Sequence, residues 1–66
     1  MDFLARAKMR LEHWIAHSEH HHGEYASLAR ELEEAGKMES ARQIREMIAL
    51  INRGNECLRA ALEALG

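Results

Sequence analysis

Cysteine, proline, valine and threonine limit this chain by their scarcity. Cys57 is the only cysteine, so no disulfide can form within the chain, and a lone thiol fits a reducing compartment. Proline is absent, and so are valine and threonine, which leaves isoleucine as the one β-branched residue type. Little in this mixture breaks a helix and little of it builds a strand. The apolar runs fall far short of the roughly 20 residues that span a bilayer. The start, "MDFLARAKMRLEHW", carries charges throughout and has no apolar stretch of secretory type. Neither sign of charge dominates, with nine basic residues against eleven acidic. No basic stripe calls for nucleic acid or for an anionic membrane surface. The expectation is a soluble cytoplasmic protein with neither nucleic acid nor membrane as a partner.

At 66 residues the chain is one domain, 1–66. A single core of this size supplies only about 3–5 kcal/mol, and small chains need a disulfide, a metal or a second subunit. Without a disulfide, the supports left are metal and self-association.

What is present is helix-forming. Leu, Ala, Glu, Arg and Met dominate. Stepping alternately by three and four from Leu4 gives Leu4, Ala7, Leu11, Trp14, Ser18, His21, Tyr25, Leu28, Leu32 and Ala35, eight of ten apolar or aromatic. Stepping likewise from Ala41 gives Ala41, Ile44, Ile48, Ile51, Asn55, Leu58, Leu62 and Leu65, seven of eight apolar. These are heptad seams, the pattern of packed helices. Gly36 follows the first seam directly, as a helix-stopping glycine does. The sequence therefore predicts one helix near 2–35, a turn at 36–38 and a second helix near 38–65. Asp2 caps the first helix, and Glu39 suits the first turn of the second. Gly23 and Gly54 interrupt good helix formers, but the heptad phase continues unchanged past Gly23, so the first helix is read as unbroken.

So short a turn makes the helices antiparallel. Leu32 then lies level with Ala41, Tyr25 with Ile48, Trp14 with Leu58, and Leu11 with Leu62. The polar exceptions coincide too: Ser18 and His21 fall beside Asn55, a buried polar layer that fixes register or binds something. Ala5, Met9, Met47 and Ala61 widen the apolar stripe beyond a strict seam. A wide stripe suits a four-helix bundle, so the fold expected is an all-α antiparallel hairpin that forms a homodimer.

All five histidines lie within "HWIAHSEHHH", residues 13–22. His13, His17 and His21 are spaced i, i+4, i+8, which stacks them on one helix ridge. Two imidazoles at that spacing can share a metal ion, with Ni or Zn the natural candidates. His20, Glu24 and Glu56 are possible further ligands, and Asn55 and Cys57 come from the level turn of the second helix. The bland alternative has His13 and His20 solvated, His17 at the boundary, His22 pointing elsewhere and only His21 aimed at the core, hydrogen-bonded to Ser18 or Asn55. Trp14 on the seam is read as core, with a partner-binding anchor as the other option. Cys57 falls off the seam and is read as a partly exposed thiol.

The stretch "HWIAHSEHHHGEY", with "LARELEEAG" and "GNECLRAALEAL", resembles a family of small bacterial and archaeal helical domains. The family's signature is close to H-W-I-E-H-N-x-x-H, followed by an acidic segment ending in A-G and a second helix containing N-E. His13, Trp14, Ile15, His17, His21, Gly36, Asn55 and Glu56 match. Ser18 stands where the signature has Asn, and His20 and His22 are extra. The resemblance implies that His13, His17 and His21 act as one unit with Asn55 and Glu56. Some such domains adjoin small nickel-binding proteins of the CooT type, which implies a link to metal.

Two functions follow as expectations. The first is a metal-binding or metal-handling accessory domain using His13, His17 and His21. The alternative is a structural or protein-interaction module, pairing with itself or with another protein, whose histidines bind no specific metal. An enzyme is not expected, since no nucleophile, base and orienting group fall together and no glycine-rich phosphate loop exists.

Overall fold

A computed structural model describes residues 2–66. Two helices make up the fold, α1 (Phe3–Glu34) and α2 (Met38–Ala64), packed against each other as a hairpin. Asp2 caps α1 as expected, its carboxylate accepting the Ala5 N–H at 2.8 Å. That bond satisfies one of the amides left over at a helix start. Helix α1 runs through Gly23 without a break.

The turn is a Schellman closure. Gly36 takes φ +79°, the left-handed region where a Cβ is penalised. The Lys37 N–H then reaches back to the Leu32 carbonyl at 2.8 Å, and the Gly36 N–H to Glu33 at 3.0 Å. These bonds end α1 and reverse the chain within three residues, 35–37. The resulting rod is 51 × 16 × 11 Å.

Burial along α2 follows the expected seam, Ala41, Ile44, Ile48, Ile51, Asn55, Leu58, Leu62 and Leu65, all buried or half-buried. Along α1 it follows a seam rotated by one step. Leu11, Ser18, Tyr25 and Leu32 face inward as expected, but Ile15 and Ala29 take the places expected for Trp14 and Leu28, while His21 and His22 are both half-buried. Trp14 and Leu28 are 47% and 44% exposed, whereas Ala29 is fully covered. The reason is steric. Closely packed helices favour small or compact side chains between them, and the two most covered residues are alanines, Ala29 and Ala41. Asn55 is buried, and Ser18, His21 and His22 are half-buried alike.

The hairpin has little interior of its own. Among the described residues only Ala29, Ala41 and Asn55 are buried, and no large side chain is fully covered. No helix among the described residues is long and apolar enough to cross a membrane.

Candidate functional site

Beside its inner row, each helix carries two flanking rows at heptad spacing. On one side of the hairpin these rows are charged. Arg45 grips Glu33 from Nε at 2.8 Å and from Nη2 at 2.7 Å. One α1 stretch earlier, Arg59 Nη2 donates to Glu19. Both pairs join α1 to α2 and line the same edge, because Glu19 and Glu33 are two heptads apart, as are Arg45 and Arg59. The Arg45 fork holds the Glu33 carboxyl below the usual carboxylate range, and the Arg45 guanidinium is raised in return.

The opposite side is apolar. From α1 it presents Ala7, Trp14, His21 and Leu28, with Phe3, Arg10, His17, Glu24 and Glu31 just outside. From α2 it presents Ser40, Met47, Gly54 and Ala61, with Gln43, Leu50, Cys57 and Ala64 outside. Phe3, Ala7, Arg10, Leu11 and Trp14 meet Ala61 and Leu65 across an open apolar groove of about 350 Å³ at the end near the termini. That groove fixes which rows of the two helices share this flank. Phe3 is 64% exposed and Leu50 61%. The Arg10 guanidinium lies over the Trp14 ring, 5.5 Å from its centroid, so its charge is drawn toward the ring face rather than standing alone. Cys57 is a free, exposed thiol, as expected.

The histidine ladder runs along this apolar flank and its outer edge. The His13 and His17 rings stack with centroids 6.1 Å apart, and His17 meets His21 edge-on at 4.7 Å. His21 also contacts His20 at 5.3 Å and Tyr25 at 6.2 Å. His13, His17 and His20 are exposed, while His21 and His22 are half-buried. Among the described residues, His21 bonds neither Ser18 nor Asn55. Its Nδ1 pairs with Glu24 Oε2 at 3.1 Å instead. A carboxylate only accepts, so Nδ1 carries the proton and Nε2 keeps its lone pair in neutral His21.

The predicted ligands thus separate. His21 meets His17 through its ring and Glu24 through Nδ1. His13 continues the ladder outward, His20 faces away from α2, and Glu56 lies toward the charged side of α2. Among the described residues, no three His, Cys, Asp or Glu side chains gather into a group that could hold one ion. Within one chain the ladder offers neighbouring pairs of imidazoles. The sequence reading had the histidines and the wide stripe. It did not separate an apolar flank from a charged one, although the Glu19/Glu33 and Arg45/Arg59 spacing carried that signal.

A family described as a domain of unknown function (DUF8180) matches residues 7–65, nearly the whole chain, and the chain belongs to it. Among curated proteins and among solved structures, nothing matches the chain.

Proposed function

Starting from membership of the DUF8180 family, whose description assigns no activity, we propose that this domain is a self-associating helical interaction module. Two hairpins join through their apolar flanks into a four-helix bundle. On this reading it is a binding module and not an enzyme, and its lone thiol suits the reducing cytoplasm.

One observation carries the proposal. The hairpin exposes 5064 Å², whereas a compact monomer of 7.6 kDa exposes about 4,300 Å². The excess, roughly 800 Å², is what one partner buries in an interface of standard size. Part of the excess has a matching location, since Trp14, Leu28 and Leu50 are exposed on one flank, while the other, which also exposes Met9 and Met38, is crossed by ion pairs.

A second copy is the occupant that fits best. The flank is bulky on α1, at Trp14, His21 and Leu28, and small on α2, at Gly54, Cys57, Ala61 and Ala64. A two-fold axis across the bundle lays α1 of one copy on α1 of the other, and each copy then offers the same flank to its partner, as a symmetric pair requires. Sedimentation equilibrium of untagged protein at micromolar concentration tests this. Twice the chain mass is expected, and a stable, cooperatively folded monomer would reject the reading.

A further inference from the structure

We propose that His17 and His21 of two copies form one divalent transition-metal site at the middle of the bundle, one ion to two chains. This rests on the assembly reading above and adds a ligand to it.

The pair is chosen by geometry. Metal–nitrogen bonds of about 2.0–2.1 Å place two imidazoles on one tetrahedral ion with centroids on the order of 5 Å apart. His17 and His21 stand at 4.7 Å, while His13 and His17 stand at 6.1 Å. His20 is also near His21, at 5.3 Å, but it is exposed and projects away from α2, where a second copy on the apolar flank does not reach. Adjacent residues on a helix do not share a face.

The Glu24 contact prepares the ligand. Metal-bound histidines characteristically donate their other ring N–H to a carboxylate, which fixes the tautomer and raises ligand basicity. His21 does this already, with Nδ1 on Glu24 at 3.1 Å. Its Nε2 lone pair is left for an ion. Glu24 is a positioning residue here.

Symmetry supplies the other half of the site. His17 and His21 straddle the midpoint of α1 (Phe3–Glu34). A two-fold axis along the bundle would set α1 of each copy against α2 of the other and keep the two pairs apart. An axis across the bundle, with the hairpins fully overlapped, keeps only the middle level in place. Under that second arrangement α1 lies on α1, and the two pairs meet at one level on the joined flanks. Four neutral imidazoles on apolar walls suit zinc, nickel or copper and do not suit magnesium or calcium.

The test is calorimetric titration of ZnCl2 into untagged, metal-free protein, with native mass spectrometry of the product. Half an ion per chain is expected, on a species of two chains and one zinc. His17→Ala and His21→Ala should each weaken binding at least tenfold, with His17→Gln as a second variant should alanine disturb the helix by circular dichroism. Glu24→Gln should weaken binding about 10–100-fold while the melting temperature of the metal-free protein stays unchanged. His13→Ala and His20→Ala should bind as the parent does. One ion per chain, equal affinity in His17→Ala, or dependence on His13 or His20 would overturn the site. Sedimentation of the metal-free protein separates the two readings. A metal-free dimer showing any of those three results loses the metal site and keeps the assembly. A chain that stays monomeric with and without zinc loses both. A dimer that appears only with zinc, at one ion per two chains and not in His17→Ala, upholds the site.

Discussion

Glu33 and Arg45 clasp the two helices together close to the turn, with both guanidinium contacts made to the one carboxylate, at 2.8 and 2.7 Å. The fork lowers the Glu33 pKa in the folded chain, chiefly through these hydrogen bonds. The unfolded chain therefore takes up a proton at Glu33 at a higher pH than the folded chain does. The stability from this pair is present above the ordinary carboxylate value, about 4.3, and is lost as pH falls through the depressed value. Glu39, held low by Arg42 and then by Gln43, acts in the same direction. Thermal melts between pH 3 and pH 6 should show a falling midpoint on the acid side. Glu33→Gln should lower the midpoint at pH 6 and flatten that fall. An unchanged acid slope in Glu33→Gln would show that the pair is not a source of it.

Trp14 is the only tryptophan and is 47% exposed in the hairpin, on the flank assigned to a second copy. Its emission should therefore shift to the blue as the protein is concentrated through its dimerisation range. Trp14→Ala should weaken association by about 2 kcal/mol or more, roughly 30-fold in Kd. Matching sedimentation profiles for parent and variant at every concentration would place the interface elsewhere.

Asn55 is 7% exposed on the inner row of α2, level with Ser18 and His22. Asn55→Leu should stabilise the fold by about 1–2 kcal/mol, because apolar surface replaces a desolvated amide in a core. Register between the helices should loosen in exchange, visible as broader amide resonances. Urea unfolding gives the stability. A loss in place of a gain would mean that the amide satisfies a partner the fold needs.

Gly23 and Gly36 should respond to alanine with opposite signs. Gly23 is helical and open, with nothing within 4 Å of an added Cβ, so Gly23→Ala should add up to about 1 kcal/mol of stability. Gly36 also has open space, but its φ of +79° opposes any side chain, and Gly36→Ala should cost about 1–2 kcal/mol. Denaturant midpoints of the two variants check both signs. A gain in Gly36→Ala would mean that the turn relaxes into another closure.

The sequence by itself determined the secondary structure, the turn and the inner face of α2. Those features are local or periodic: the Asp2 cap, Gly36 after the last seam residue, and isoleucines and leucines at one unambiguous heptad phase. It did not determine the rotation of α1. Leu11, Ser18, Tyr25 and Leu32 belong to two overlapping seams, one through Trp14, His21 and Leu28, the other through Ile15, His22 and Ala29. Both are consistent with the hydrophobic period. Only packing against α2 separates them, since compact residues such as Ile15 and Ala29 fit between close helices and the indole of Trp14 does not. That choice decides which histidines share a flank. It sets His21 on the same side as Trp14, whereas the contact of His21 with Glu24 lies within α1, at i, i+3, and was already legible in the sequence.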